Sequence, residues 1–385
     1  MQNTPINPSS QQIRQDRLRW LGIVLFLGIL IIATIVAMPL LFQTPGQSAM
    51  PYTTGDTSVA VIENDAVASK EQPNEGMVTD ALPANLSAQT LATLRQVDDH
   101  PLYTMTYYGD YDRHVATAFT TPADAMPWAC SLFVTFADEG QMLFGRNFDW
   151  QDNPALLLFT DPSDGYASVS MVDISYLGYP HEGLAALETT EGREALLQAP
   201  LLPFDGMNEH GLTVGMAAVN PSATPNDPEK PTVGSLRIIR LLLDQTQTIE
   251  EALDLFDQYN IDFHGGPPIH YLIADRTGAS VIVEFKDGER HVLGNNGIWQ
   301  SATNFYLADA SAAMQQQDRR FRTLEAALDE RDGLLNLDDA FDLLADVAQP
   351  TTRWSIVYGM DNGAIHVAMG RNYEQIHQFT LPAMP

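Results

Sequence analysis

The sequence predicts an α+β fold in which antiparallel sheets are covered by helices, and two observations favour it. Short strand-like runs are joined by turn sequences, such as Asp361-Asn362-Gly363 between two apolar runs, which is a strong hairpin signal. Two pairs of amphipathic helical segments, at 235–259 and 319–348, interrupt the strands. Strands grouped in hairpins, next to helices grouped in pairs, are typical of sheets that bury one face under helices.

The first element is an uncharged run of 23 residues, 20–42. A helix of that length would be roughly 34 Å long, enough to cross a bilayer core of about 30 Å. Arg14, Arg17 and Arg19 precede the run, and the next basic residue is Lys70. This asymmetry predicts a single-pass membrane anchor with a cytoplasmic N-terminus and an extracytoplasmic remainder. A signal peptide, cleaved to give a secreted protein, is the alternative.

The next region is poor in large apolar residues and rich in Pro, Gly, Ser, Thr and acidic residues, which is typical of a flexible stalk. Strand-like and helical patterns return after it, and the residues that follow Cys130 are numerous enough for one compact domain. We therefore divide the chain into a cytoplasmic tail, an anchor, a stalk, a short structured segment and a C-terminal domain: 1–19, 20–42, 43–90, 91–129 and 130–385.

Hairpins and helices alternate along the rest of the chain. The helix at 249–259 has a capping-box signal, with Thr248 three residues before Glu251. The predicted elements in chain order are a weak helix at 91–94, a strand at 103–108, hairpins at 130–150 and 204–219, helices at 235–244 and 249–259, a hairpin at 269–284, helices at 319–330 and 337–348, and a hairpin at 355–369.

Composition excludes some functions. The chain has 49 Asp and Glu against 20 Lys and Arg, a net charge of −29. Such a chain repels a phosphate backbone, so we expect no nucleic-acid partner. Cys130 is the one cysteine, which rules out an internal disulfide and a cysteine-type zinc site. The thiol is therefore either an inert core group or a nucleophile.

The hairpin that begins at Cys130 returns two charged side chains to the cysteine. A loop at 138–140 would pair residue 130 with 148, and a loop one residue longer would pair it with Asp149. In both registers Arg146 and Asp149 come back near Cys130. Because these two residues are three apart and a strand repeats every two, a bulge or a strand end must separate them. A guanidinium near the sulfur favours the thiolate, and a carboxylate can hold a protonated amine.

No histidine forms an obvious catalytic motif with Cys130. His210, His264 and His270 lie in a turn, a glycine-rich loop and a strand start, where structural roles are the more common ones. If the chain were cut before Cys130, the α-amine of the cysteine would lie next to its own sulfur. A terminal amine has a pKa of about 7.7–8.0, which suits a general base near neutral pH.

The run CSLFVTFADEGQMLFGRNFDW, which starts at Cys130, resembles the mature N-terminus of cysteine N-terminal-nucleophile (Ntn) hydrolases of linear amides. This group includes the choloylglycine hydrolases, penicillin V acylases, acid ceramidase and N-acylethanolamine acid amidase. The spacing of Arg146 and Asp149 after Cys130 fits the group. Three later stretches fit in the same order: Gly206–Leu212 as a G-M-N-E-x-G-L turn, Thr303–Phe305 as a T-N segment, and Asp318–Arg322 as a D-R-R or S-R-F element.

The resemblance implies a four-layer αββα Ntn-hydrolase sandwich over 130–385 and a set of site roles. Cys130 would be the nucleophile, Asn304 an oxyanion donor, and Asp149 the group that orients the amine. Arg146 and Arg320 would stabilise the thiolate and position substrate. Because the cysteine is internal, the layout is similar to the acid ceramidase branch. It implies self-cleavage at Ala129-Cys130, with 91–129 as a pro-segment and 130–385 as the catalytic domain. A second oxyanion residue falls by counting at Ala218, with Asn220 as the alternative, and stays unassigned.

The function that the resemblance implies is hydrolysis of a small N-acyl amide through a thioester, with no metal or organic cofactor. An N-acyltransferase of the same fold is one alternative, and a surface binding module that has lost catalysis is another. Trp150, Tyr176 and Tyr179 are candidates to line an acyl pocket, although core packing explains them equally well. The acyl and amine parts of the substrate and the oligomeric state stay open.

Overall fold

A computed structural model describes residues 83–113, 129–136, 142–151, 153–264, 266–295 and 297–381. The predicted cytoplasmic tail, the anchor at 20–42 and most of the stalk lie outside these residues. In the parts that are described, no helix combines the length and apolar character needed to cross a bilayer.

The described chain contains short helices and many strands. The helices are α1 (Ala84–Ala92), α2 (Arg237–Gln245), α3 (Ile249–Phe256), α4 (Ala312–Gln317), α5 (Arg319–Glu330) and α6 (Leu337–Val347). Three 3₁₀ segments lie at Ile174–Leu177, His181–Glu188 and Glu191–Leu201. The strands are β1 (Arg95–Asp98), β2 (Leu102–Tyr107), β3 (Ala129–Phe136), β4 (Met142–Asp149), β5 (Ala155–Thr160), β6 (Ser168–Asp173), β7 (Asp205–Asn208), β8 (Thr213–Ala218), β9 (Thr232–Gly234), β10 (Asn260–Asp262), β11 (Ile269–Ala274), β12 (Ser280–Lys286), β13 (Glu289–Gly294), β14 (Trp299–Ala302), β15 (Thr352–Gly359), β16 (Ala364–Met369) and β17 (Ile376–Thr380).

Two large sheets form the body of the described domain. The nine-stranded sheet has the order β1-β2-β5-β6-β7-β8-β11-β12-β13, and the six-stranded sheet has the order β14-β3-β4-β15-β16-β17. Strands β9 and β10 form a separate parallel pair. The four predicted hairpins are confirmed as β3–β4, β7–β8, β11–β12 and β15–β16.

Strand β3 explains how the layers stack, because both of its faces are buried. Leu132 belongs to the core cluster between the two sheets, whereas Phe133 packs with Leu324 and Leu344 of helices α5 and α6. The two sheets approach closely at Gly215, where an added Cβ would lie 2.7 Å from the side chain of Leu132. The sheets therefore pack face to face, and helices cover the outside of the six-stranded sheet.

Helix α2 covers the outer face of the nine-stranded sheet. The Asn208 side chain at the end of β7 donates to the carbonyl oxygens of Leu243 and Thr246, at 3.0 and 2.7 Å. An added Cβ at Gly206 would lie 2.7 Å from the Leu243 side chain. The α+β sandwich expected from the sequence is thus confirmed, with helices outside both sheets.

Two details differ from the sequence-based expectation. Strand β2 pairs parallel with β5, so the prediction of wholly antiparallel sheets was wrong at this pair. The parallel pairing is possible because the connection from β2 to β5 is long and contains the β3–β4 hairpin of the other sheet. Helix α1 begins at Ala84, inside the segment predicted to be stalk, and buries Leu91.

Candidate active site

Cys130 is the second residue of β3 and is fully buried. It pairs with Phe148, and Leu132 pairs with Arg146, which is the register expected for the shorter loop. The loop residues at 137–141 lie outside the described chain. Residues two apart on a strand share a face, so Arg146 lies diagonally opposite Cys130 between the two sheets. Its Nη2 donates to Cys130 Sγ at 3.6 Å.

Arg146 is held in place by Asp205 at the start of β7, a residue that the sequence analysis missed. Arg146 Nη1 lies 2.6 Å from Asp205 Oδ2, and both side chains are fully buried. Asp205 also accepts hydrogen bonds from the Tyr358 hydroxyl at 2.6 Å and from Trp354 Nε1 at 3.2 Å. One ion pair therefore links the two sheets directly behind the cysteine. The available signal was an acid within the apolar run at 201–207, which required a buried partner.

The electrostatic balance at the sulfur differs from the expectation. Burial raises the pKa of the Cys130 thiol, the charge of Arg146 lowers it, and the charge of Asp149 raises it again. The net direction is upward. In the uncut chain the guanidinium therefore does not by itself maintain a thiolate, because desolvation of the charged form outweighs it.

Asp149 ends β4 and lies opposite Ala129, the residue before the cysteine. It also pairs with Thr352 of β15, while the neighbouring Phe148 pairs with Trp354, so Arg353 forms a bulge at this point. The spacing of Arg146 and Asp149 required a bulge or a strand end. The bulge is present, but it lies in β15, opposite the end of β4.

The Asp149 carboxylate is only partly satisfied. Its Oδ1 accepts from Thr352 Oγ1 at 2.5 Å, whereas its buried Oδ2 has no hydrogen-bond donor among the residues that are described. The nearest guanidinium nitrogen, Arg320 Nη1, is 3.7 Å from Oδ2. Burial raises the pKa of Asp149 to about 6, against the opposing effects of Thr352, Arg320 and Arg146. A buried acceptor therefore remains beside the Ala129-Cys130 bond.

Asn304 and Arg320 bind the backbone of Cys130 itself. Asn304 Oδ1 accepts from the Cys130 N–H at 2.7 Å and from Arg320 Nη2 at 2.8 Å, which fixes the orientation of the amide. Arg320 Nη1 donates to the Cys130 carbonyl oxygen at 2.5 Å and to Ser131 Oγ at 3.3 Å. Both ends of the cysteine residue are thus held by side chains far along the chain. All five residues proposed from the sequence come together here.

The helix position of Arg320 has a local explanation. It lies in the first turn of α5, where a cation opposes the helix dipole. Asp318 caps this helix by accepting from the Phe321 N–H, and its Oδ2 lies 3.7 Å from Arg320 Nη2. The capping carboxylate offsets the unfavourable charge and directs the guanidinium towards the cysteine.

The end of β8 contributes backbone, not side chains. Asn304 Nδ2 donates to the Ala218 carbonyl oxygen at 2.8 Å, and the Tyr306 hydroxyl donates to the Asn220 carbonyl oxygen at 2.9 Å. Ala218 has no polar side-chain group and the Asn220 residue is exposed. The second oxyanion donor therefore stays unassigned.

Comparison with known proteins gives a family match for the region that contains Cys130, Arg146, Asp149 and Asn304. Residues 130–309 match the sequence model of the linear amide C-N hydrolases, choloylglycine hydrolase family. This region is therefore similar to the choloylglycine hydrolase family. The resemblance stated from the motifs is thereby confirmed.

Individual relatives are distant. An uncharacterized protein of Paramecium bursaria Chlorella virus 1 is 25% identical over 198 residues, or 48% of this chain. The match spans 61% of the viral protein's length. Among solved structures, a mutant conjugated bile acid hydrolase from Clostridium perfringens aligns with a TM-score of 0.47 at 18% identity, over 66% of this chain and 92% of that one. Penicillin V acylase from Agrobacterium tumefaciens aligns with a TM-score of 0.46 at 17% identity, with the same coverage.

The three aromatic residues proposed to line an acyl pocket are buried in the core. Tyr176 makes an edge contact with Phe204, whose ring also packs on Phe148 beside the cysteine. The Tyr179 hydroxyl donates to the Gly192 carbonyl oxygen at 2.6 Å. Trp150 is buried at the end of the β3–β4 hairpin. Tyr179 is thus fixed by a 3₁₀ segment, while Tyr176 lies one aromatic ring away from the site.

The histidines do not reach the sulfur. Within the described residues no imidazole hydrogen-bonds to Cys130 Sγ. His210 packs edge-on against Tyr166, and the exposed His264 bonds to Asp262. His270 is buried and bonds to Glu284 and to the Thr303 carbonyl oxygen. Among the described parts of the chain, no group of three or more His, Cys, Asp or Glu side chains is arranged to hold a metal ion.

Proposed function

We propose that this protein hydrolyses the C–N bond of small linear N-acyl amides, with Cys130 as a nucleophile that is freed by self-cleavage at Ala129-Cys130. One observation carries the proposal. Asn304 Oδ1 accepts from the backbone nitrogen of the cysteine, Asp149 on the paired strand lies opposite Ala129 with one buried oxygen unsatisfied, and no described imidazole bonds to the sulfur. That arrangement suits an α-amine as the base.

In the maturation step, Cys130 Sγ would attack the Ala129 carbonyl carbon. The Ala129-Cys130 C–N bond then breaks, the cysteine nitrogen takes up the thiol proton, and a thioester forms between the Ala129 acyl group and Sγ. Water hydrolyses this thioester and leaves a carboxylate at Ala129. The Arg320 hydrogen bond to the Cys130 carbonyl oxygen supports the step, because it keeps the cysteine backbone fixed while the preceding bond breaks.

Cleavage would also correct the protonation problem at the sulfur. An α-amine titrates at about pH 7.7–8.0 in model peptides, so near neutral pH it can accept the thiol proton. Asn304 Oδ1 already accepts a hydrogen from this nitrogen, and the unsatisfied Asp149 Oδ2 lies on the paired strand. These two acceptors would stabilise the ammonium, and Arg146 Nη2 would stabilise the thiolate.

In turnover the thiolate would attack the substrate carbonyl carbon, and the ammonium would give its proton to the departing amine. Water, activated by the α-amine, would then hydrolyse the acyl thioester and release the acid. The Asn304 amide would stabilise the oxyanion, a contribution whose removal typically costs about 10²–10³ in rate. An amine in place of water would make the same site an N-acyltransferase.

We also propose that residues 20–42 anchor the enzyme in the cell membrane with the catalytic domain outside the cytoplasm. The support is the uncharged length of the segment and the three arginines before it. Membrane fractionation of the full chain, followed by protease protection, tests this arrangement. Release of the whole protein by alkaline carbonate would contradict it.

Intact-mass and N-terminal sequencing of the purified full chain test the mechanism most directly. We expect a fragment that starts at Cys130, and we expect an acyl electrophile to label that residue. Cys130→Ala, which removes the attacking atom, is the control for both processing and labelling. A panel of N-acyl amides, conjugated bile salts, penicillin V and acyl-homoserine lactones then identifies the substrate. A full-length chain with no cysteine terminus and no labelling would refute the proposal.

A further inference from the structure

The segment that carries Asn304 is tied down at both ends by one buried pair, His270 and Glu284. His270 is the second residue of β11, Glu284 lies in β12, and both side chains are fully buried. His270 Nε2 lies 2.7 Å from the carbonyl oxygen of Thr303, the residue before Asn304. At the other end of the segment, Glu284 accepts from the N–H groups of Leu307 and Ala308, at 2.8 and 3.0 Å.

The partners of the pair define its hydrogen-bond directions. A carbonyl oxygen can only accept, so His270 Nε2 carries a hydrogen. Glu284 Oε1 lies 3.0 Å from His270 Nδ1, and the Glu284 carboxylate already accepts two backbone N–H groups. Burial alone would raise the pKa of Glu284, but the hydrogen bond and the charge of His270 lower it overall. Glu284 therefore stays a carboxylate, and both ring nitrogens of His270 face oxygen atoms.

We propose that His270 is a positioning residue for the reaction, acting through Asn304. The inference rests on the proposed function, in which Asn304 holds the cysteine nitrogen and the oxyanion. Neither His270 nor Glu284 bonds to Cys130, so their effect must pass through the 303–308 segment. The His270 ring fixes the Thr303 peptide, which sets the position of the Asn304 amide between the Cys130 nitrogen, Arg320 and the Ala218 carbonyl oxygen.

A double-mutant cycle on the processed full-length protein tests the route of action. Removal of a direct oxyanion donor lowers the rate about 10²–10³-fold, so removal of a residue that acts through that donor should lower it less. We expect His270→Gln to lower kcat about 10- to 100-fold with little change in KM. In an Asn304→Ala background the same change should lower kcat by less than about threefold, because the two residues act as one unit. The exposed His264 supplies the control His264→Gln, which should leave kcat unchanged.

An equal loss of kcat in both backgrounds, or no loss with His270→Gln alone, would overturn the proposal. A merely structural role predicts the former, because a general loss of packing does not depend on Asn304.

Hydrogen exchange of the full-length Cys130→Ala chain provides a second readout that needs no catalysis. His270→Gln or Glu284→Gln should speed exchange in peptides covering 303–308 about tenfold, the effect of losing roughly 1.4 kcal/mol of hydrogen bonding. Peptides from helix α6 should not change, and neither should any peptide with His264→Gln. Unchanged exchange at 303–308 would overturn the positioning role. If the wild-type protein hydrolyses no amide, the proposed function fails, but the exchange result still decides whether His270 holds the Asn304 segment.

Discussion

Arg146 should be the most costly residue of the site to lose, because its removal leaves a buried carboxylate without a cation. Arg146 and Asp205 are both inaccessible to solvent, and their closest atoms are 2.6 Å apart. In Arg146→Gln, Asp205 would keep only the hydrogen bonds from Tyr358 and Trp354. Breaking one side of a buried pair typically costs about 3–5 kcal/mol. For a domain of this size that corresponds to a fall in Tm of about 6–20 °C.

The measurement should separate stability from processing. The Cys130→Ala background keeps every chain uncut, and thermal or urea unfolding of the full chain then compares Arg146→Gln, Asp205→Asn and the double variant. The double variant removes both charges, so we expect it to recover at least half of the loss seen with Arg146→Gln. The deficit of Arg146→Gln should also shrink as the pH falls. Burial raises the pKa of Asp205, so the folded variant takes up a proton that neutralises the isolated charge.

The reasoning fails if Arg146→Gln lowers the free energy of unfolding by less than about 1 kcal/mol at pH 7, since a desolvated and unpaired carboxylate should destabilise the fold by more than that. It also fails if Asp205→Asn gives no recovery in the double variant. The charge would then not be the cause, and the loss would come from the packing of the arginine stem.

Three further predictions concern the site and the maturation step. Asp149→Asn in the Cys130→Ala chain should raise the free energy of unfolding at pH 7 by up to about 3 kcal/mol, because the pKa of Asp149 is raised from 3.8 to about 6. This gain should disappear as the pH falls from about 6 to about 4. A gain that urea unfolding shows to be constant over this range would contradict the cause. The two fragments of a processed chain should stay together in native mass spectrometry and separate in denaturant, because β2 of the N-terminal fragment pairs with β5 of the C-terminal fragment. Spontaneous separation of the fragments in native buffer would contradict this. Arg320→Met should slow processing at Ala129-Cys130. Arg320→Lys should also process slowly, because one ammonium cannot reproduce the contacts to both the Cys130 carbonyl oxygen and Asn304. A full processing rate with Arg320→Lys would argue against the two-nitrogen contact.

Much of the fold could be predicted from local sequence. Helix α5 has the bounds expected from its pattern, 319–330, because Asp318 caps it and its apolar residues repeat with the helical period. The β3–β4 register is one of the two that the loop length allowed, since a hairpin loop fixes which residues face each other. Turns and caps depend on neighbouring residues, and so they are readable from a single chain.

The site was predictable as a set of residues but not as a set of contacts. The motif spacing selected Cys130, Arg146, Asp149, Asn304 and Arg320, and the fold brings all of them together. The spacing gave no indication that Asp205 would pair with Arg146, because that contact joins different sheets. It also could not assign a role to His270, whose partners are 14 and 33 residues away in sequence.

The sequence by itself determined the chemistry that is available: one thiol, the charged groups spaced behind it, and the lack of an evident histidine partner. Only the tertiary structure decided the state of that chemistry. Burial raises the pKa of the Cys130 thiol in spite of the nearby Arg146, and it leaves one oxygen of Asp149 unsatisfied among the described residues. The physical reason is that desolvation depends on how completely the two sheets together exclude water from the site. No single segment of the chain determines that.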